Sequence, residues 1–432
     1  MLADSDTRWK WGALTAHRLV PGARPDGFLL RGRATPTVRQ LTEVGADAAA
    51  LREVTGTEFV RAAHPDRYDV IVLACVGGAV QAMLHGLGHA WDGVAQRPVV
   101  VTGYVGVVYE KLADGLLLRH GADVVLANSR HDAERFRAVY AGAGAGAESV
   151  TECALPFLGG EPYEAGCQVR PYTVVFAAQP SVPESRADRM YLLERAAGHA
   201  RLHPDREVLV KLRSKPGEHT THIEEHPYQK LAARLKGGAP PNFRLVYGHM
   251  GEVLDRADLL VTVSSTAALE SLHRAVPTAV LTDLGIREPL GNHHFLGSGC
   301  LASWDELDAG LLPAPDPEWS ARQGLGGGAV DVPHEQAFAT ARERVAHLCA
   351  QPQLPPLAPY YTARTAPGYL PGILARHGFD PGGRPLPGRA APERPESALR
   401  RATRNALRDA ARGAYRHGVQ RVAPVIRRLG EL

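Results

Sequence analysis

A hydroxyl-rich turn between a predicted strand and a predicted helix is the segment of this chain best suited to bind an anion. Residues 257–277 read ADLLVTVSSTAALESLHRAVP, in which Ser264, Ser265 and Thr266 separate an apolar run from a helical pattern. Such a turn presents backbone N–H groups beside the positive end of a helix dipole, and both favour phosphate. Glu270 follows on the first turns of the helix, where its carboxylate can accept hydrogen bonds from ribose or sugar hydroxyls. A helix cap with a surface carboxylate is the alternative interpretation.

Amide and cationic side chains stand at neighbouring strand ends that should meet this turn. Gln179 follows the first predicted strand of the same block, and Lys211, Arg213 and Lys215 surround the end of the next one. Because ligands of an open parallel sheet bind beyond the carboxyl ends of its strands, we expect these groups to converge on a nucleotide phosphate. His249, in the following loop, would lie against the base. A solvated strand edge and a helix cap are the alternatives.

Two acidic residues near the start of the chain are candidates for a catalytic base. Asp4 and Asp6 come directly after a short apolar segment. If two strand–helix blocks oppose one another, an acid at this strand end faces the cleft between them. There it can remove the proton of an acceptor hydroxyl. We predict Asp6 in this role, with Asp4 as the second choice, and the alternative is a turn that caps a helix.

A glycine pair, a tyrosine and a glutamate are the candidates for the acceptor side of the cleft. Gly77 and Gly78 follow a clear strand pattern and would let a ligand approach the backbone closely, although they lack the full dinucleotide fingerprint. Tyr104 ends the next predicted strand, and Glu110 follows in its loop. The sequence therefore predicts an acceptor site formed by the loops of the first block.

Two blocks in which strand and helix patterns alternate hold these residues. Continuous β-branched runs that alternate with helices indicate parallel sheets buried on both faces. We therefore predict an α/β fold with two Rossmann-like parallel-sheet domains facing a cleft, over residues 1–165 and 170–350. A Pro-rich segment follows over 351–395. The last residues, 396–432, read as a basic helical tail with nine arginines against three acidic residues.

The basic tail has three interpretations. It can lie on an anionic membrane surface through its charge and a thin apolar face. It can bind nucleic acid, or remain a solvated helix. The formal net charge of the whole chain is only +3, which implies no polyanionic partner by itself. We expect no nucleic-acid partner and keep the membrane surface and the solvated helix open.

Composition and cysteine usage limit the class of protein to which this chain can belong. With 432 residues, 44% hydrophobic and 22% charged, the chain is a globular protein too long for one ordinary core. Its five cysteines show no metal spacing and no small disulfide framework, which favours a reduced cytoplasmic setting, peripheral on the inner face of the membrane if the tail binds there. No cofactor or metal is predicted, because cations and helix N–H groups can stabilise a departing phosphate.

At this point the sequence resembles a known group of enzymes. The segment ADLLVTVSSTAALESLHRAVPTAVL resembles the corresponding stretch of capsule-polysaccharide transferases of the GT-B architecture, including bacterial Kdo transferases and polysialyltransferase-like enzymes. GADVVLANSRHDAERF is similar to the last strand and helix of many GT-B acceptor domains, and the opening ADSDTRWKW looks like actinobacterial glycosyltransferases of unassigned substrate. The resemblance covers residues 1–350. It departs from the family pattern at Lys215-Pro216, where many members have a His-Pro pair.

The resemblance implies a nucleotide-sugar glycosyltransferase. In those families a Ser/Thr pair before the helix holds the donor phosphate, which carries over to Ser264, Ser265 and Thr266. The second domain would then hold the donor, and the first would bind a glycan or lipid-linked acceptor in the synthesis of cell-surface polysaccharide or glycoconjugate. A nucleotide-sugar 2-epimerase or a polyol-phosphate transferase of the same architecture is the enzymatic alternative. A non-catalytic nucleotide-binding scaffold is the other.

Overall fold

The computed structural model describes two parallel sheets with helices on both faces. It covers residues 1–387 except 46–47, 108–110, 166–169, 216–217, 219–223 and 326–333. Two predictions therefore lie outside the described residues, namely Glu110 and the basic tail. Within the described part, the α/β fold with two Rossmann-like parallel-sheet domains facing a cleft is confirmed.

The first sheet has seven parallel strands in the order β3-β2-β1-β4-β5-β6-β7. Their bounds are β1 (Leu2–Ala3), β2 (Asp26–Leu30), β3 (Ala50–Val54), β4 (Val70–Ala74), β5 (Val99–Gly103), β6 (Val124–Ala127) and β7 (Val150–Glu152). The central strands are continuous runs of Val, Ile, Leu and Ala because both of their faces are buried beneath helices. The order changes direction at β1 and β4, where the ligand crevice of such a sheet is expected.

The second sheet has six parallel strands in the order β10-β9-β8-β11-β12-β13. Their bounds are β8 (Thr173–Ala177), β9 (Glu207–Lys211), β10 (Phe243–Val246), β11 (Leu259–Thr262), β12 (Thr278–Leu281) and β13 (Leu301–Ala302). Strands β8 and β11 are adjacent, with Ala177 opposite Thr262. This register places the residues that follow the two strands side by side.

Fourteen helices are present among the described residues. Those of the first domain are α1 (Asp6–Leu19), α2 (Val38–Val44), α3 (Gly56–Ala62), α4 (Gly77–Ala90), α5 (Leu112–Leu117) and α6 (Arg130–Gly142). The second block contributes α7 (Arg186–Leu202), α8 (Tyr228–Ala232), α9 (Met250–Leu254), α10 (Ala267–His273), α11 (Trp304–Asp308) and α12 (Pro317–Arg322). The chain continues with α13 (Ala339–Cys349) and α14 (Leu370–Arg376). None of the described helices is long and apolar enough to cross a membrane.

Side-chain caps fix where several of these helices begin. The Ser5 hydroxyl accepts a hydrogen bond from the backbone N–H of Arg8, so α1 starts at Asp6, directly after β1. Thr37 and Gln40 form a reciprocal capping box at the start of α2. The start of α1 is consequently held at the carboxyl edge of the first sheet, beside the second domain.

The end of the described chain returns to the first domain. Helix α13 follows the second sheet in sequence, but it packs against α1, β5 and β7. The boundary predicted at residue 350 therefore does not match the packing, because the buried Ala341 and Val345 lie on the first domain. Residues 352–387, predicted only as Pro-rich, also pack on the first domain, and we call them the C-terminal strap. Its α14 lies against α4.

Candidate functional site

A cleft of about 1110 Å³ lies between the carboxyl edges of the two sheets. It is lined by ten of the residues predicted from the sequence: Asp6, Tyr104, Gln179, Lys211, Arg213, His249, Ser264, Ser265, Thr266 and Glu270. The residues after β8, β9 and β11 form one wall, as the convergence of parallel strand ends requires. The start of α1 and the loop after β5 form the other wall.

Four predicted residues do not line the cleft. Asp4 pairs with Arg8 at 3.0 Å, and its other carboxylate oxygen accepts the backbone N–H of Val76 at 2.8 Å. It therefore anchors the start of α4. Gly77 and Gly78 begin that helix, and a Cβ on Gly77 would come within 2.9 Å of the Leu118 side chain, so this glycine permits close packing. Lys215 is exposed and holds its ammonium 5.8 Å from the centre of the Tyr247 ring.

The hydroxyl turn is built on a hydrogen-bond network inside the second domain. Ser264 is 1% exposed, and its hydroxyl donates to the carbonyl of Leu290. The Gln179 amide donates to the Ser264 hydroxyl at 3.2 Å, and its oxygen accepts the backbone N–H of Ser264 at 3.0 Å. The Ser265 hydroxyl accepts the backbone N–H of Ala267. The hydrogen bonds between Gln179 and Ser264 therefore fix the conformation of the turn, in which Ser265 and Thr266 line the cleft.

Substitution of Ser264 is expected to act mainly on stability. Ser264→Ala would leave the buried Leu290 carbonyl and the Gln179 amide without this partner, at a cost of about 1–3 kcal/mol in the free energy of unfolding. Ser265→Ala, the matched control on the half-buried neighbour, is expected to cost about 1 kcal/mol or less. Urea unfolding curves measure both. A Ser264→Ala protein of unchanged stability that no longer binds nucleotide would contradict this assignment.

A buried lysine lies on the wall that the strand ends of the second sheet form. Lys211 ends β9, is 8% exposed, and donates a hydrogen bond to the Leu212 carbonyl at 2.8 Å. Burial, together with the charge of Arg213, lowers the pKa of Lys211 to about 8, although Glu43 and Glu270 oppose the shift. A buried ammonium has lost much of its hydration, so an anionic partner would stabilise its charged form strongly.

The predicted base is held in an ion pair across the cleft. Asp6 Oδ1 lies 2.7 Å from Nη2 of Arg213, which belongs to the other domain and also donates to the Thr7 hydroxyl. Burial alone would raise the pKa of Asp6, but the charge and hydrogen bond of Arg213 outweigh it and hold this pKa below its usual value. In this arrangement the carboxylate is a weak base, and Arg213 is occupied.

A second charged contact joins the two walls. Lys10 Nζ, on α1, lies 3.8 Å from Glu270 Oε2, on α10, and also 4.9 Å from the centre of the Phe157 ring. Burial raises the pKa of Glu270 although three nearby cations oppose the shift. Burial lowers the pKa of His249, which caps α9 and faces the same cavity. Glu270 and His249 therefore both line the cleft.

The loop after β5, on the wall formed by the first domain, touches the hydroxyl turn directly. Tyr104 follows β5, and the guanidinium of Arg119 lies 4.0 Å from the centre of its ring. Two residues further along, a Cβ on Gly106 would lie 2.6 Å from Thr266 Oγ1. The loop after β5 therefore closes over the turn after β11, and only a residue without a side chain fits at this crossing.

Sequence reasoning missed several charged residues of the cleft. Lys10, Glu43 and Arg287 line it, and Glu43 accepts the backbone N–H of Gly248 from the other domain at 2.7 Å. A signal for Lys10 was available, since it stands four residues after Asp6 and so shares its face of a helix. Glu43 and Arg287 carried no such signal, because their positions depend on how the two domains meet.

One group of possible metal ligands occurs among the described residues, and it lies outside the cleft. It consists of His199, His203 and Asp308. Nη1 of Arg206 lies 3.3 Å from Nε2 of His199, and an arginine can only donate, so Nε2 accepts and Nδ1 donates to Asp308 at 2.6 Å. Both His199 nitrogens are thus engaged. A metal-free active site remains an expectation.

Comparison with known proteins places the chain in a family. A family profile described as "Putative glycosyltransferase (DUF6716)" matches residues 1–343. The search of curated proteins gives no match. Among solved structures, similarity is found to the co-structure of S. aureus MnaA with UDP, at 12% identity and TM-score 0.48, covering 80% of this chain and 94% of that one.

Two further solved structures are similar. The UDP-GlcNAc 2-epimerase from Neisseria meningitidis bound to UDP-GlcNAc is 9% identical with a TM-score of 0.41, over 80% of this chain and 98% of that one. The glycotransferase of kitacinnamycin is 15% identical with a TM-score of 0.39, over 81% and 94%. The family profile agrees with the GT-B-type resemblance found in the sequence.

Proposed function

Because this chain belongs to the family described as "Putative glycosyltransferase (DUF6716)", we propose that it transfers a sugar from a nucleotide-sugar donor to a glycan or lipid-linked acceptor in the interdomain cleft. The single observation that carries the proposal is that a buried lysine and a half-buried arginine of one domain face a carboxylate of the other domain across that cleft. Lys211 and Arg213 stand on the second domain, and Asp6 faces them from the first. Leaving-group stabilisation and base catalysis need these charges on opposite walls.

The second domain would hold the donor through its strand ends. Lys211 and Arg213 would contact the phosphate oxygens, supported by the turn at Ser265 and Thr266. Glu270 would accept hydrogen bonds from sugar or ribose hydroxyls, and His249 would lie beside the base. Ser264 and Gln179 would act indirectly, because their hydrogen bonds with each other hold the turn in place.

The transfer step would place an acceptor hydroxyl near Asp6. As the hydroxyl oxygen forms a bond to the anomeric carbon, its proton passes to the Asp6 carboxylate. The bond from the anomeric carbon to the nucleotide phosphate breaks, and its electron pair leaves with the phosphate. Lys211 and Arg213 would stabilise that added charge, which allows a metal-independent reaction. The acceptor itself would lie along the loop that carries Tyr104.

A panel of UDP-, GDP-, CMP- and ADP-linked sugars tests the proposal. One class is expected to raise the melting temperature of the wild type, since a ligand of the folded state adds to stability. For Lys211→Met, the sugar nucleotide should no longer raise the melting temperature above that of the same variant without ligand. Lys230→Met, which replaces an exposed lysine outside the cleft, should keep the ligand-induced increase in melting temperature. No shift with any sugar nucleotide would refute the donor site. Free sugar and nucleotide formed without acceptor would favour the 2-epimerase.

A further inference from the structure

The ion pair between Asp6 and Arg213 joins the predicted base to a predicted phosphate ligand. Asp6 Oδ1 and Arg213 Nη2 are 2.7 Å apart, and their side chains are 11% and 30% exposed. The same guanidinium donates to Thr7, the next residue of α1. Both members line the cleft, and each comes from a different domain. The contact is therefore made inside the substrate cavity and across the domain boundary.

A carboxylate and a phosphate compete for the same guanidinium donors. Arginine presents a planar fork that matches the oxygens of either anion, and it has no acceptor of its own. While Nη2 donates to Asp6 and Thr7, those donors are directed away from the donor wall. A phosphate group that uses the fork through Nη2 must take over at least part of this set.

We propose that Asp6 is an internal competitor of the donor phosphate for Arg213, so that donor binding releases the base. The inference rests on the proposed function and adds regulation to the same site. Before the donor enters, Arg213 balances the negative charge of Asp6, and its Nη2 donates to Asp6 and Thr7 rather than to a phosphate. When the phosphate binds Arg213, the Asp6 carboxylate loses its counter-ion and becomes a stronger base. This change occurs once the donor is bound, which is when an acceptor hydroxyl can react.

This order of events follows from the positions of the two groups. Lys211 stands two residues before Arg213, and no ion pair joins it to Asp6 in the described part of the chain, so its ammonium can meet a phosphate without displacing the carboxylate. A two-pronged contact of Arg213 with the phosphate through both terminal nitrogens would require Nη2 to leave Asp6. A donor analogue without phosphate has nothing to exchange for the carboxylate and would leave the ion pair intact.

Calorimetric titration with UDP, GDP, ADP and CDP, and with the matching nucleosides, tests the competition. Asp6→Asn is expected to bind the preferred nucleoside diphosphate about tenfold more tightly than wild type, because Arg213 is no longer withheld. Its affinity for the nucleoside should not change. Glu134→Gln is the matched control, since it removes another interdomain ion pair, with Arg322, that lies outside the cleft.

A double-mutant cycle separates competition from simple charge repulsion. In an Arg213→Gln background, Asp6→Asn should give no further gain in diphosphate affinity, whereas repulsion by the carboxylate would still be relieved. A persistent gain, an equal gain in Glu134→Gln, or wild-type affinity in Asp6→Asn would each overturn the competition while the donor site stands. If neither wild type nor Asp6→Asn binds any nucleoside diphosphate, the proposed function fails and the competition with it.

Discussion

Truncation of the chain after Ala350 is expected to unfold or grossly destabilise the first domain. The C-terminal strap buries Leu354, Leu370, Leu374 and Phe379, which are all 5% exposed or less. Phe379 fills a space between Gly56 and Gly86, where a Cβ on Gly86 would come within 2.8 Å of its ring. Removal of the strap would expose this part of the core, at a cost comparable to the whole net stability of an ordinary domain.

Polar contacts fix the strap in one position. Arg97 donates to the Pro355 carbonyl at 2.6 Å, and Gln81 donates to the Tyr361 carbonyl at 3.1 Å. The hydroxyls of Tyr361 and Tyr369 both donate to Asp114. Arg97, Gln81 and Asp114 would lose these contacts to the strap along with the apolar contacts, which makes the truncation more severe than any single substitution.

Thermal unfolding of three proteins measures the effect. The matched control ends at residue 387 and keeps every strap contact described above, so its difference from the chain ending at 350 isolates the strap. Phe379→Ala, in the full chain, is expected to cost about 3–5 kcal/mol. If the chain ending at 350 melts at the same temperature as the chain ending at 387, the strap does not belong to the folded core.

Lys211→Met is expected to abolish nucleotide binding and to make the protein more stable at neutral pH. A buried ammonium whose pKa is lowered to about 8 from 10.5 costs the folded state on the order of 3 kcal/mol when it is charged. Methionine has a similar length and no charge, so it removes both the phosphate ligand and this cost. Gain of stability with loss of binding is typical of a functional site.

The pH dependence of this gain has a definite sign. Between pH 8 and 10.5 the unfolded chain keeps the Lys211 proton more firmly than the folded chain, so wild-type stability rises with pH across that window. Below pH 8 the penalty is fully present, and above 10.5 it is gone. The stability difference between Lys211→Met and wild type should therefore be largest below pH 8 and shrink towards 10.5.

Urea unfolding at pH 7 and pH 10 compares the two proteins. Lys230→Met, on an exposed lysine of α8, controls for loss of a positive charge in the same domain. It should change neither stability nor nucleotide binding by more than a small amount. A Lys211→Met protein that is less stable than wild type at pH 7, or that binds nucleotide as wild type does, would contradict the role assigned to this lysine.

Much of the fold could be predicted from the sequence because the pattern is local. The apolar runs at 70–74 and 259–262 form buried parallel strands, as their β-branched composition indicates. The strap could not be predicted, since proline-rich sequence gives no periodic signal and its packing depends on a gap at Gly86 more than 250 residues earlier. Helix α13 shows the same limit, because its short apolar face does not say which sheet it covers.

In the candidate site, too, some features follow from the local sequence pattern and others depend on long-range packing. Convergence of Gln179, Lys211 and Ser264 follows from the rule that parallel strands end at one edge, and the structure brings them together. This rule predicts which strand ends lie together, but it does not predict which side chains form hydrogen bonds or ion pairs. It could not show that Ser264 turns inward to Leu290, or that Asp6 would be paired with Arg213 from the other domain. Such contacts depend on how two separate domains meet.

Among the described residues, the two connections between the domains come close to each other near Ala154 and Leu155. Residues 153–172 lead from β7 to β8, and the return lies between α12 and α13. A Cβ on Gly324 would lie 3.8 Å from that of Ala154, and His334 is hydrogen-bonded to the backbone of Leu155. We expect this pair of neighbouring contacts to restrict the two domains mainly to rotation about it. Under that restriction, the same charged groups, such as Asp6 and Arg213, would meet whenever the cleft closes.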